Sequence, residues 1–309
     1  MSSCTYNIES YITSLSMSRK KRILVEGRDD RKHLTNLLER MINGVRIKID
    51  TAQDIRSDDR ASSKNNRLKV ELIHSRVKGN ENILFLCDRE FRGFSLDECM
   101  NDDINCHYES ESLFWTLGHS LENYFFNEEV LVDAYRYLCG SEYKNDAINR
   151  FLEVINSVFV IISSLALAAR DIGKESFPMS VIKWQDFRFE NGSIYLKEDS
   201  ELDWLENNLN VPLLTGYYNY LPIMQRTPLS INARICRGHS GMILLQRVFS
   251  ACIYDAGKID DPEYALDGAK KFSNISEEIL ANSLSESWVR HVERQLASYP
   301  EPLVSKIVA

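Results

Sequence analysis

The run NILFLCDRE, residues 82–90, constrains the fold more than any other stretch of this chain. Its five successive apolar residues, Ile83 to Cys87, do not alternate between core and solvent as a strand with one wet face does, so both faces must be covered. That is the signature of an inner strand of a parallel sheet with helices on each side. The neighbouring segments agree. RILVEG (22–27) reads as another short buried strand, and in DDRKHLTNLLERMI (29–42) Leu34, Leu37, Leu38 and Met41 recur at helical spacing. VRIKID (45–50) alternates as a strand, TAQDIRSDDRASSKNN (51–66) is a polar loop, and RLKVELIHSRV (67–77) is helical again. SLFWT (112–116) reads as a fourth strand, ahead of the helix SLENYFFNEEVLVDAYRYL (120–138). Strands alternating with helices predict an α/β domain with a mainly parallel sheet, here residues 1–140 including a leader helix.

The pattern then changes. NDAINRFLEVINSVFVIISSLALAARDI (145–172) is a long apolar helical stretch suited to a domain core or an oligomer contact. DFRFENGSIYLKE (186–198) alternates around Asn191 and Gly192, a type I′ hairpin signal. The remainder is mostly helical, so residues 141–309 are expected to form a second, mostly helical domain with a small β-hairpin, carrying dimerisation, partner and substrate contacts.

A composition of 44% hydrophobic and 27% charged residues is that of a soluble globular protein. The longest apolar candidate for a span, VFVIISSLALAA (158–169), falls short of eighteen residues, and the first residues lack the order of a signal peptide, so a cytoplasmic protein without a membrane segment is expected. Seven cysteines without a C-x-x-C pair suggest neither a disulfide framework nor a structural zinc site. The net charge of −8 excludes a basic field over the whole surface, but leaves room for local basic grooves at RKKR (19–22) and DREFRG (88–93). Neither G-x-x-x-x-G-K-[ST], G-x-S-x-G nor H-E-x-x-H occurs, which leaves metal-assisted phosphoryl chemistry as the reading of the acidic residues.

Those acids fall at strand ends. In an open parallel sheet ligands bind at the carboxyl ends of the strands; Glu26 ends the first strand, and Asp88 and Glu90 end the third. On an extended strand residues i and i+2 point the same way, so Asp88 and Glu90 are expected to share one pole. Carboxylates gathered there raise one another's pKa, and a hard divalent cation compensates them. Asp29 and Asp30 open a helix, where negative charge is favoured whether or not a metal is near. Gly27 leaves space for a close approach to ligand or for an unusual φ.

ILVEGRDD followed by LFLCDRE resembles the TOPRIM core, with a glutamate-glycine after the first strand and a D-x-D-type acidic pair after the third. HSLENYFF (119–126) is similar to the H-x-x-E-N-Y element of a bacterial family of TOPRIM-like proteins, and the chain length and helical second half look most like the effector subunits of the PARIS anti-phage defence system. The motif match covers residues 21–126. It implies a nuclease with Glu26, Asp88 and Glu90 catalytic, and Mg²⁺ or Mn²⁺ held by Glu26, Asp30, Asp88, Glu90 and Glu122. Glu90 departs from the second aspartate of D-x-D, and its longer side chain reaches a metal directly or through water. Arg89 and Arg92 flank the pair as phosphate contacts or as ion-pair partners of nearby carboxylates. The resemblance further implies an ABC-type ATPase partner that holds the effector inactive, and host tRNA, lysine tRNA among the candidates, as substrate. A DNA nuclease of the overcoming-lysogenization type and a non-catalytic partner-binding subunit are the alternatives.

Two other segments bear on substrate. RICRGHSG (234–241) gathers Arg234, Arg237 and His239, of which Arg237 and His239 are the candidates for RNA contacts. LTGYYNYLPIM (214–224) offers Tyr217, Tyr218 and Tyr220 either as stacking surfaces or as core. A homodimer is expected from the long apolar helix.

Overall fold

The structure, a computed structural model, describes residues 6–42, 46–57, 63, 65–77, 79–197, 202–206 and 210–308. Residues 58–62 and 64 of the expected polar loop lie outside them. Two compact units are present. The first joins Met1–Arg89, Ile104–Leu121 and Val292–Ala309; the second joins Glu90–Asp103 and Glu122–His291.

The first unit begins with helix α1 (Ile8–Ser16), strand β1 (Arg22–Val25), helix α2 (Arg28–Met41), strand β2 (Lys48–Thr51), helix α3 (Asn66–Arg76) and strand β3 (Ile83–Cys87). A ribbon of β4 (Phe94–Leu96) and β5 (Met100–Asp102), which belongs to the second unit, is followed by β6 (Glu109–Ser110) and β7 (Leu113–Trp115). The sheet order is β2-β1-β3-β7-β6, parallel throughout except for the short antiparallel edge strand β6. All five residues of β3 are buried, as an inner strand requires. Alternate residues Leu24, Ile83, Phe85, Cys87 and Leu113 pack against Ile8, Tyr11 and Leu15 of α1 and Val70 and Ile73 of α3. β1 has β2 on one side and β3 on the other, so the chain reverses its direction of winding between these two neighbours. The reversal creates a crevice at the carboxyl ends of β1 and β3.

Helices α4 (Glu128–Leu138), α5 (Lys144–Asp171) and α6 (Phe177–Val181) follow, then the hairpin β8 (Phe187–Glu190) and β9 (Ser193–Leu196). Asn191 (φ 49°) and Gly192 (φ 77°) both occupy the left-handed region, as a type I′ turn demands. Beyond lie α7 (Val211–Arg226), α8 (Leu229–Ile235), α9 (Gly238–Gly257), α10 (Pro262–Ser273) and α11 (Glu277–Glu293), and α12 (Glu301–Val308) returns to the first unit. There Ile307 accepts a hydrogen bond from Lys21 Nζ at 3.0 Å.

The division expected near residue 140 therefore falls inside the second unit. The reason is packing: the Tyr135 ring of α4 meets Phe151 of α5 at 5.5 Å and Phe249 of α9 at 4.9 Å, so α4 shares the helical core. The expected helix over 120–138 is also interrupted. A 3₁₀ turn covers Leu121–Phe125, and Asn127 then starts α4 afresh, its side-chain oxygen accepting from Glu129 N (3.0 Å) and Val130 N (3.3 Å).

Helix α5 is the axis of the second unit. It has the length and composition of a membrane span, yet 72% of its most apolar window is buried inside the protein. Most of its apolar surface is covered within the protein, so the helix by itself does not require a second copy of the chain, although Leu152 stays 38% exposed. Gly216 of α7 lets the two backbones close up, since a Cβ there would lie 2.8 Å from Ala168 Cβ. Tyr217 is buried and Tyr218 exposed; Tyr220 hydrogen-bonds Asp171.

Candidate active site

Residue Glu26 directly follows the buried Ile23–Leu24–Val25 of β1 and is tied to both neighbouring strand ends. Its backbone carbonyl accepts from Gln53 N just beyond β2 (3.1 Å), and its Oε1 accepts from Asp88 N just beyond β3 (2.9 Å). The candidate carboxylate is thus held at the reversal point of the sheet by backbone donors. Residue Glu26 as a whole is half-buried, with its carboxyl group at the enclosed end.

The acidity of that carboxyl is strongly altered. Burial, then the negative charge of Asp30, push its pKa from an ordinary 4.5 up to about 8; Glu71 adds to the rise, while the Asp88 N–H bond and Arg67 oppose it. Glu71 and Arg67 lie one turn apart on α3. The sequence reading missed both. Their i, i+4 spacing marks an ordinary helical ion pair, and only the crossover of α3 brings them to Glu26.

Asp30 has the structural part foreseen for a helix start, its Oδ2 accepting from Gly27 N at 2.7 Å. Gly27 itself needs no unusual backbone: φ is −122° and ψ 172°. What it supplies is space, because a Cβ would come to 3.3 Å of Asp30 Oδ2.

Strand alternation, the reason given for Asp88 and Glu90 sharing one pole, does not extend to Glu90. β3 ends at Cys87, and Glu90 takes a left-handed conformation (φ 52°) in a turn, so the two-residue strand period no longer governs its direction. Asp88 belongs to the first unit and Glu90 to the second. Arg89 is likewise corrected as a phosphate contact. It is only 1% exposed, its backbone N–H donates to Thr116 Oγ1 (3.0 Å) and its guanidinium to the Leu117 carbonyl (2.9 Å), which fastens the end of β3 to the end of β7. Arg92, half-buried, lies in the turn that Glu90 opens.

In the second unit, Glu122 is buried at 3% exposure, with Oε1 3.3 Å from His239 Nε2; the other ring nitrogen of His239 contacts Glu277. His239 stands in the first turn of α9, so it joins the 3₁₀ turn to the start of α11. Arg237 contacts Ser176 and lies 3.7 Å from Glu175. Arg234 pairs at 2.9 Å with Asp102, whose side chain is almost wholly buried. Arg234, Arg237 and His239 are all engaged by the unit's own acids or hydroxyls.

Among the described residues, no group of three or more His, Cys, Asp or Glu side chains is gathered to hold a metal. Glu26 with Asp30 is a narrower donor set: two carboxylates close enough for the charge of one to raise the pKa of the other. Magnesium is commonly held by one or two carboxylates, with waters and substrate phosphate completing its octahedron, and this pair fits that demand. No protein-family model matches the sequence. No curated protein matches it either.

Proposed function

We propose that the chain is a magnesium- or manganese-dependent nuclease, an endoribonuclease effector of bacterial anti-phage defence that cleaves host tRNA in the cytoplasm. The observation that carries this reading is Glu26, a carboxyl group with its pKa raised to about 8 at the carboxyl-end crevice of a mainly parallel sheet, beside Asp30 and clamped by Asp88 N–H. Glu26 and Asp30 would hold the ion, which when bound supplies charge neutralisation at the phosphate and a more acidic water.

The chain's own groups divide the remaining work. At neutral pH, without a cation, Glu26 keeps its proton, so it is poised to donate to a leaving oxygen or to exchange the proton for a ligand. The Asp88 N–H fixes which carboxyl oxygen faces the backbone and leaves the other for chemistry. As an effector, the protein would be held by an ABC-type ATPase subunit and act as a homodimer when released.

The test is incubation of the purified chain and its Glu26→Gln variant with total tRNA and plasmid in one tube, with Mg²⁺ or with EDTA. Metal-dependent cleavage of tRNA that is lost in Glu26→Gln is the expected result. Absence of cleavage under every condition, or its persistence in the variant, refutes the nuclease; preferential cutting of the plasmid refutes the choice of RNA.

A further inference from the structure

A cavity of about 560 Å³ opens in the first unit between α1, the end of β2 and the first turns of α2. Its wall includes Tyr6, Arg28, Arg31, Lys48 and Gln53. Gln53 is the residue whose N–H donates to the Glu26 carbonyl, so the cavity adjoins the candidate active site along the sheet edge. The charge around it is organised. Asp54 holds Arg28 at 2.7 Å and Arg31 at 3.5 Å, and Asp50 holds Lys48 at 2.8 Å and Arg22 at 3.2 Å. In the wall itself two carboxylates meet three cations, Arg28, Arg31 and Lys48, leaving a positive excess. The Thr51 hydroxyl and Arg28 keep the Asp54 carboxyl below its usual range, so it stays charged as a bracket for the two arginines.

The bracket is itself built in. Lys69 is buried, and its ammonium donates to the carbonyls of Ala52 (2.8 Å) and Ile55 (3.0 Å), fixing the turn that carries Asp54. Arg28 nevertheless keeps 62% of its side chain exposed, so its guanidinium can also meet a ligand. In the same wall, Tyr6 is 47% exposed while its carbonyl accepts from Arg56 N at 2.8 Å, so an accessible ring stands on an anchored backbone. Two guanidinium groups and an accessible aromatic ring lining one cavity match one nucleotide, which offers a phosphate and a π-face.

We propose that this cavity binds one nucleotide of a single-stranded polynucleotide, next to the bond that the Glu26 site would cut, with phosphate at Arg28 and Arg31 and base against Tyr6. The choice of ligand rests on the nuclease reading; the site rests on the cavity. A fully paired duplex would not fit, because its bases turn inward and leave no π-face for Tyr6.

The experiment is fluorescence anisotropy of a labelled single-stranded RNA dodecamer on the full chain carrying Glu26→Gln, in EDTA, so that no cleavage intervenes. Arg28→Ala/Arg31→Ala is expected to bind about tenfold more weakly, with a log–log salt slope shallower by about 0.7 for the one phosphate no longer neutralised. Tyr6→Ala is expected to lose about tenfold with the slope unchanged. The control pair Lys258→Ala/Lys271→Ala, two exposed cations elsewhere, should stay within about twofold of the parent. Unchanged affinity and slope in the arginine variant, or an equal loss in the control, overturns the proposal. So does displacement of the dodecamer by AMP at a similar concentration, which would make this a mononucleotide site. Arginine-dependent binding beside cleavage that ignores Glu26 sinks the nuclease reading and leaves the subsite standing. Glu26-dependent cleavage with arginine-independent binding sinks the subsite alone.

Discussion

Replacing Glu26 by Gln should make the protein more stable at alkaline pH, in a manner the structure lets one calculate. The folded protein holds the Glu26 proton up to about pH 8, whereas the ordinary value is 4.5. The native state therefore binds more protons than the unfolded one between these limits, and its stability falls as pH rises through that window, levelling off above about pH 8. About 3.5 pH units at about 1.4 kcal/mol each set a ceiling near 5 kcal/mol. Because Glu26 is only half-buried as a residue, solvent screening reduces this to about 2–3 kcal/mol. Glutamine keeps an oxygen for the Asp88 N–H but carries no charge beside Asp30 and Glu71. Urea unfolding of both chains in EDTA, at pH 5, 6, 7, 8 and 9, should give curves that nearly coincide at pH 5 and diverge to about 2–3 kcal/mol in favour of the variant at pH 9. Saturating Mg²⁺ should narrow the gap, because a cation binding the native carboxylate offsets its repulsion. Parallel pH profiles for the two chains would show that Glu26 titrates normally, and would remove the electrostatic argument for a cation site.

Three further outcomes concern the second unit. Asn232 is buried, accepts from Ser163 Oγ (2.8 Å) and donates to the carbonyls of Met224 (3.0 Å) and Thr227 (3.1 Å); Asn232→Ala should cost about 2–3 kcal/mol in urea unfolding, and a loss below about 0.5 would refute this account. Gly216→Ala drives a methyl group to 2.8 Å from Ala168 Cβ, so α5 and α7 must separate and stability should fall by about 1–3 kcal/mol, whereas an unchanged midpoint would mean the helices yield freely. Arg234→Met leaves the buried Asp102 without its cation, at a cost of about 2–4 kcal/mol; adding Asp102→Asn should restore part of it, and no restoration would deny the pair's coupling.

The sequence determined the inner strand of the parallel sheet and the turn of the β8–β9 hairpin almost directly. β3 is apolar at every position because both faces are covered, and Asn191 with Gly192 adopt the two positive φ values that few other residue pairs tolerate. These are local rules, and local rules are written in neighbouring residues. The place of Glu26 directly after a buried strand was legible for the same reason. Glu90 was misread because strand alternation was extended past the end of β3, and Arg89 because a charged residue beside acids looks the same in sequence whether its guanidinium faces solvent or the carbonyl of Leu117. The raised pKa of Glu26 depends on burial first, then on Asp30 and Glu71 against the opposing Arg67, and the bracketing of Arg28 and Arg31 depends on Asp54. Electrostatic coupling follows distance through space rather than along the chain, so the crossovers of α2 and α3, and not the spacing of residues in sequence, decide which charges meet.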